Sequence, residues 1–145
     1  MIPKMRYWND IEEKMYILRG YETNIEGKLI CVRFLDGGFN TIDCKNENMM
    51  MSTGMKDKNG KEIFEGDICK VRFSNGVIAI GVVELNDGCF DINFIESTHN
   101  NKFRDYLKCY TCHNAVKIIG NIHENPDKVP SYHCSRTGIN NNQQR

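Results

Sequence analysis

Residues 68–95, ICKVRFSNGVIAIGVVELNDGCFDINFI, decide how this chain folds. From Ile68 to Phe73 the side chains alternate: Cys69, Val71 and Phe73 on one side, Ile68, Lys70 and Arg72 on the other. A period of two is the signature of a half-buried strand. Ser74-Asn75-Gly76 reverses the chain, and residues 77–85 form a longer strand with Gly81 in its middle. A glycine inside a strand marks a bulge or a sharp bend. Asn86-Asp87-Gly88 is a second hairpin turn, and residues 89–95 return. The stretch reads as an antiparallel meander.

Working outward, residues 29–34 (LICVRF) and 39–43 (FNTID), joined through Gly37-Gly38, read as another hairpin. Asn9–Lys14 reads as a turn, with a strand from Met15. Residues 116–119 are a last short strand before Gly120-Asn121. Residues 102–109 (KFRDYLKC) place Phe103, Tyr106 and Leu107 at helical spacing, so a short helix is expected there. The expected fold is mainly β: a bent antiparallel sheet or SH3-like barrel of about five strands between 68 and 122. Residues 1–50 are expected to form a small β-rich annex, 51–130 the SH3-like portion, and 131–145, ending GINNNQQR, a solvated disordered tail. Residues 49–60 join annex to barrel.

The chain has 145 residues, 26% charged and 40% hydrophobic, which suits a globular protein and argues against disorder of the whole. Nineteen basic residues cancel nineteen acidic ones. A non-specific duplex-DNA coat needs a basic excess and is disfavoured; a small local patch is not. The N-terminus MIPKMRYWND lacks the apolar core of a secretory signal, and no apolar run reaches the ~20 residues of a membrane span. A cytoplasmic protein with reduced thiols and no membrane association is expected. Of the seven cysteines, Cys31, Cys69 and Cys89 lie in apolar runs and read as small buried hydrophobes.

Three stretches resemble one family. Residues 2–9 (IPKMRYWN) with Lys14-Met15 are similar to the basic and aromatic opening of the YopX proteins of phages and prophages. Residues 52–68 (STGMKDKNGKEIFEGDI) resemble their central motif, and residues 118–126 (IIGNIHENP) their C-terminal signature. Ser52 stands where the family usually has glutamine, and His123 where it more often has tyrosine. The resemblance implies a β-rich fold with an SH3-like portion and a phage or prophage setting in a host bacterial cytoplasm. It carries no catalytic residue. Physically, Asp57-Lys58-Asn59-Gly60 is a tight turn, Ile63 and Phe64 insert into a core, and Glu65-Gly66-Asp67 turns the chain into the strand at Ile68. That reads as a motif that fixes a fold.

Cys109-Tyr110-Thr111-Cys112-His113 is the sharpest local pattern. It spells a c-type haem attachment, which requires export, and none is expected. Zinc would use Cys109 and Cys112 with His133 or Cys134, but the second pair is adjacent instead of spaced, so these are weak zinc candidates. A redox C-x-x-C belongs in a thioredoxin-like setting, which the strand pattern does not provide. Reduced cysteines on a loop, with no metal and no cofactor, are the expectation. None of His99, His113, His123 and His133 sits in a nucleophile motif, and no phosphate-binding glycine loop is present. No catalytic residue is assigned, and the expectation is a protein that is not an enzyme.

Two residue groups suit binding. Arg6-Tyr7-Trp8 gathers a cation and two aromatics, which plug a core or form an interaction surface. Lys56, Lys58, Lys61, Lys70 and Arg72 suit a basic patch for nucleic acid. The leading expectation is a self-assembling phage accessory protein, a homo-oligomer that binds a host or phage protein; hairpin edges can pair between chains. A nucleic-acid-binding β-barrel is the alternative. A second alternative is an anti-defence protein that inhibits a host immune protein or sequesters a signalling nucleotide.

Overall fold

The computed structural model describes residues 4–97 and 103–132. The chain is mostly β and divides into two compact units, residues 4–51 among those described and Ser52–Tyr132.

In the first unit, β1 (Met5–Asn9), β2 (Lys14–Thr23), β3 (Leu29–Phe34) and β4 (Phe39–Asn40) form an antiparallel run, each strand pairing with the next. The expected turn lies between β1 and β2. The Asn9 side chain accepts the backbone N–H groups of Ile11 and Glu12, both at 3.0 Å, an Asx turn. β5 (Met49–Lys56) pairs with β1 through Met49–Met51 on the other side. β1 is therefore a central strand, and its side chains are committed to the interior. Tyr7, Leu18, Leu29, Val32, Phe34 and Cys44 form the core, and Tyr16 stacks on Phe34 with ring centroids 3.9 Å apart. Arg6, Tyr7 and Trp8 are all buried, so of the two readings of this triplet the burial agrees with the one that plugs a core.

The second half of β5 belongs to the second unit, where Ser52 and Lys56 lie opposite Phe64 and Glu62 of β6 (Glu62–Phe64). Residues 49–56, expected as connector, are thus a strand. Its four methionines are not among the strong β-formers, and its alternation shows only in burial: Met50 and Ser52 inward, Met49, Met51 and Thr53 half-exposed. The main sheet has the order β10-β9-β8-β7-β11, from β7 (Asp67–Arg72), β8 (Ile78–Asn86), β9 (Cys89–Ser97), β10 (Phe103–Tyr106) and β11 (Val116–Asn121). Among the described residues β10 and β11 do not pair with each other, so the bent-sheet form of the expectation holds and the closed barrel does not. The bulge falls where Gly81 placed it, between Ile80 and Gly81 opposite β9.

One face of this sheet carries a core of Ile63, Cys69, Val71, Val83, Ile92, Phe94, Leu107 and Val116. Tyr110 meets Phe73 and Phe94 edge-on there, at 5.4 and 5.5 Å. The other face buries Ile68 and Val82 under Val129. Glu84, buried on β8, accepts hydrogen bonds from Arg104 and from the Tyr132 hydroxyl. Tyr132, placed by the sequence in a solvated tail, is thus tied to the sheet; residues 133–145 lie outside the described part.

Residues 103–106 are a strand, where a helix was expected. Phe103 and Asp105 point one way, Arg104 and Tyr106 the other, and all four pair with β9 from Asp91 to Phe94. The available edge of β9 outweighs a helical spacing carried by three residues. Only the end of that segment is helical, as the single turn α1 (Lys108–Thr111). No helix among the described residues is long and apolar enough to cross a membrane.

Candidate functional site

The strand alternation that buries Cys69 and Val71 turns Lys70 and Arg72 outward on β7. On β11 the same alternation buries Val116 and exposes Lys117. The register sets Lys117 directly opposite Lys70, with Val116 opposite Val71. Directly opposed residues hold their Cβ atoms about 4.5–5.5 Å apart, and like charges so placed are destabilising. Arg72 is the diagonal neighbour of Lys117. None of these three cations makes an ion pair among the described residues. Along the same row, Ile80 faces Lys70 on β8, and the acid Glu96 comes only beyond it on β9. Two strand spacings put that carboxylate about 10 Å from Lys70.

The central and C-terminal sequence motifs build this face. The Lys58 N–H donates to the Val116 carbonyl at 2.8 Å, which brings the turn at 57–60 alongside β11. Asp57 holds that turn. Its Oδ1 accepts the N–H groups of Asn59 and Lys61, both at 2.9 Å, and its Oδ2 accepts the Ile118 N–H at 3.1 Å. Burial pushes the Asp57 carboxyl up, but the three backbone donors and the Lys61 charge outweigh it and hold the group below its ordinary value. Gly60 completes the turn at φ 81°. At the far end of β11, the Ile122 N–H donates to the Gly66 carbonyl at 2.9 Å. Lys128 donates through Nζ to the Ile119 carbonyl at 2.6 Å, which adds a cation beside the β11 backbone.

Of the residues singled out for a basic patch, the structure gathers Lys58, Lys70 and Arg72. Lys56 stands opposite Glu62, and Lys61 lies within the field of Asp57. Lys117 and Lys128 were missed, because the position of Lys117 depends on cross-strand register and that of Lys128 on the turn after β11 folding back onto the Ile119 carbonyl. The one available signal was Lys117 itself, placed just before the C-terminal motif.

The described residues also line two clefts. In the first unit a cleft of about 510 Å³ is lined by Tyr7, Asp10, Lys45 and neighbours. Its polar groups already serve one another: the Lys45 N–H donates to the Tyr7 hydroxyl at 3.1 Å, and Lys45 Nζ pairs with Asp10 at 2.8 Å. In the second unit a cleft of about 580 Å³ is walled by Met55, Phe90 and Tyr106 and carries Cys89, Cys109 and Cys112. All three are exposed free thiols. Cys89 thus departs from the buried hydrophobe expected of it, since it stands at the hairpin end of β9. Cys31 is partly buried, Cys69 fully so. Among the described residues no group of three His, Cys, Asp or Glu could hold a metal; His133 and Cys134 of the zinc reading lie outside them.

An open, two-unit antiparallel β architecture with a cationic strand face defines the class. Within it, the YopX protein family model matches residues 4–129, and the chain belongs to that family. A crystal structure of protein EF1440 from Enterococcus faecalis is similar at TM-score 0.65 and 27% identity, covering 89% of this chain and 99% of that one. The structure of yopX from Bacillus subtilis shares the fold at TM-score 0.57 and 20% identity, covering 85% and 94%. No curated protein matches the chain.

Proposed function

We propose that this protein is a non-enzymatic phage or prophage accessory protein that holds single-stranded nucleic acid against the outer face of β7 and β11. The observation that supports this reading is the placement of Lys117 opposite Lys70 with Arg72 on the diagonal, a like-charge cluster that costs the fold stability and makes no ion pair among the described residues. A row of phosphates supplies the missing counter-charge. The patch is small, so it suits a single strand, where a duplex coat would need many more cations. Because the cluster is purely cationic, the contact is to the backbone and tolerant of sequence.

Fluorescence anisotropy with a labelled oligothymidine at low ionic strength tests it. The wild-type chain binds, and Lys70→Glu weakens binding at least tenfold. Absence of binding at low salt overturns the reading.

One observation favours self-assembly as a second reading. Among the described residues β4 is an edge strand paired on one side only, and around it Phe39, Leu35 and Ile42 are 71%, 63% and 68% exposed. A second copy pairing along β4 would cover both the open backbone and these side chains. Light scattering on a size-exclusion column should show a dimer that Phe39→Glu disrupts. A strict monomer at high concentration rejects it.

A further inference from the structure

We infer that Cys109 and Cys112 are a reversible dithiol–disulfide pair, a thiol-modification site set in the apolar cleft of the second unit. Three observations support it. First, the two residues sit three apart on one helical turn, Cys109 within α1 and Cys112 as its cap at φ −67° and ψ −18°. A rise of 1.5 Å per residue on a 2.3 Å radius puts their Cα atoms about 5 Å apart. That lies within the roughly 4.4–6.8 Å a disulfide spans; Cβ atoms three apart on a helical turn stand about 5–6 Å apart, so closing them to the roughly 3.5–4.5 Å of a disulfide takes a local adjustment at the C-terminal end of the turn. Second, Cys112 Sγ lies 3.5 Å from the Cys109 carbonyl oxygen, folded back over the turn onto the backbone of Cys109. Third, both thiols are exposed, so a small disulfide can reach them, while Met55, Phe90 and Tyr106 wall the cleft beside them.

The reacting partner is a low-molecular-weight disulfide. One cysteine thiolate attacks a sulfur of that disulfide, forming a mixed disulfide and releasing one small thiol. The second cysteine then attacks the protein sulfur of the mixed disulfide and releases the other. In sum, two protein thiols become one S–S bond, and one small disulfide becomes two small thiols. Excess small thiol reverses both steps. Tyr110, between the two cysteines, is the α1 residue packed against Phe73 and Phe94, so the closed ring braces a turn already anchored in the core. Cys89 is the third thiol of the cleft but stands on the β8–β9 hairpin, outside that turn.

The full chain is equilibrated in glutathione buffers of graded oxidised-to-reduced ratio, quenched by alkylation and mapped by mass spectrometry. The expected product is a peptide lighter by two hydrogens with Cys109 linked to Cys112, reversed by excess reduced glutathione. Cys89→Ser leaves it unchanged. Cys112→Ser stops the reaction at a glutathione adduct on Cys109. If Cys109 and Cys112 stay separately alkylated at every ratio, the inference fails. It fails equally if either is linked preferentially to Cys89 or Cys134.

Discussion

At the scale of single residues, Asp57 carries more of the second unit than its place in a turn suggests. Its two oxygens accept three backbone N–H groups, one of them from β11, sixty-one residues away. Asp57→Asn keeps an acceptor at one oxygen but sets an amide donor against the Ile118 N–H. We expect a loss of about 1–3 kcal/mol in urea denaturation at neutral pH, the cost of a buried donor left unmatched. The acid limb of the stability curve should change as well. Because the folded group titrates below its ordinary 3.8, its contribution is complete above that value and is lost as pH falls from there through the lower folded one. The variant should show a flatter decline over that window, and an unchanged acid limb would show that Asp57 is not the group responsible. The sequence made the turn legible, because Asp-x-Asn-Gly has its own local chemistry. It could not show that the same carboxylate reaches Ile118, since that bond is made only after β11 arrives. Cys89 was misread for the converse reason: an apolar run does not say which end of it faces a solvent-exposed hairpin.

At the scale of elements, the alternation in residues 68–95 placed β7, β8 and β9 almost to the residue, and the glycine inside β8 located the bulge. Gly81 is there for space. Its φ is unremarkable, but a Cβ built on it would sit 2.8 Å from both the Asn93 carbonyl oxygen and Ile92 Cγ1. A backbone oxygen cannot rotate aside as a side chain does. Gly81→Ala should therefore cost about 1–3 kcal/mol by overpacking, seen as a lower midpoint in urea; a neutral result would mean that β9 can shift away. Local pattern failed at β5 and β10. Both are strands because a neighbouring edge was open to receive them, and three or four residues of spacing cannot outvote a ladder of backbone hydrogen bonds. The basic face separates stability from binding within one element. Lys117→Glu replaces a like-charge pair across β7 and β11 with an opposite-charge pair, so the fold should gain about 0.2–1 kcal/mol. The same change should abolish oligothymidine binding. A variant that loses stability and binding together would point to damage to β11 and not to removal of a phosphate contact.

At the scale of the molecule, nineteen charges of each sign and a pI of about 6.9 mean that no long-range field draws nucleic acid to the chain as a whole. Any electrostatic contact has to come from local arrangement, and strand register is what produces one here. That is why composition argued against a coat and yet could not locate a patch: Lys58, Lys70, Arg72 and Lys117 come from three separate stretches of sequence, brought together when the central and C-terminal family motifs join at Asp57–Ile118 and Gly66–Ile122. The size of the patch then fixes how binding responds to salt. Three phosphates neutralised by Lys70, Arg72 and Lys117 should give a slope of log K against log salt of about −2 for a single strand, at roughly 0.7 per contact. Anisotropy titrations across a range of potassium chloride read that slope directly, and Lys117→Ala should make it shallower by about 0.7. A slope near zero would remove the phosphate contact from the account. A slope several times steeper would require cations well beyond this face, which the balanced charge of the chain makes hard to supply from any single surface.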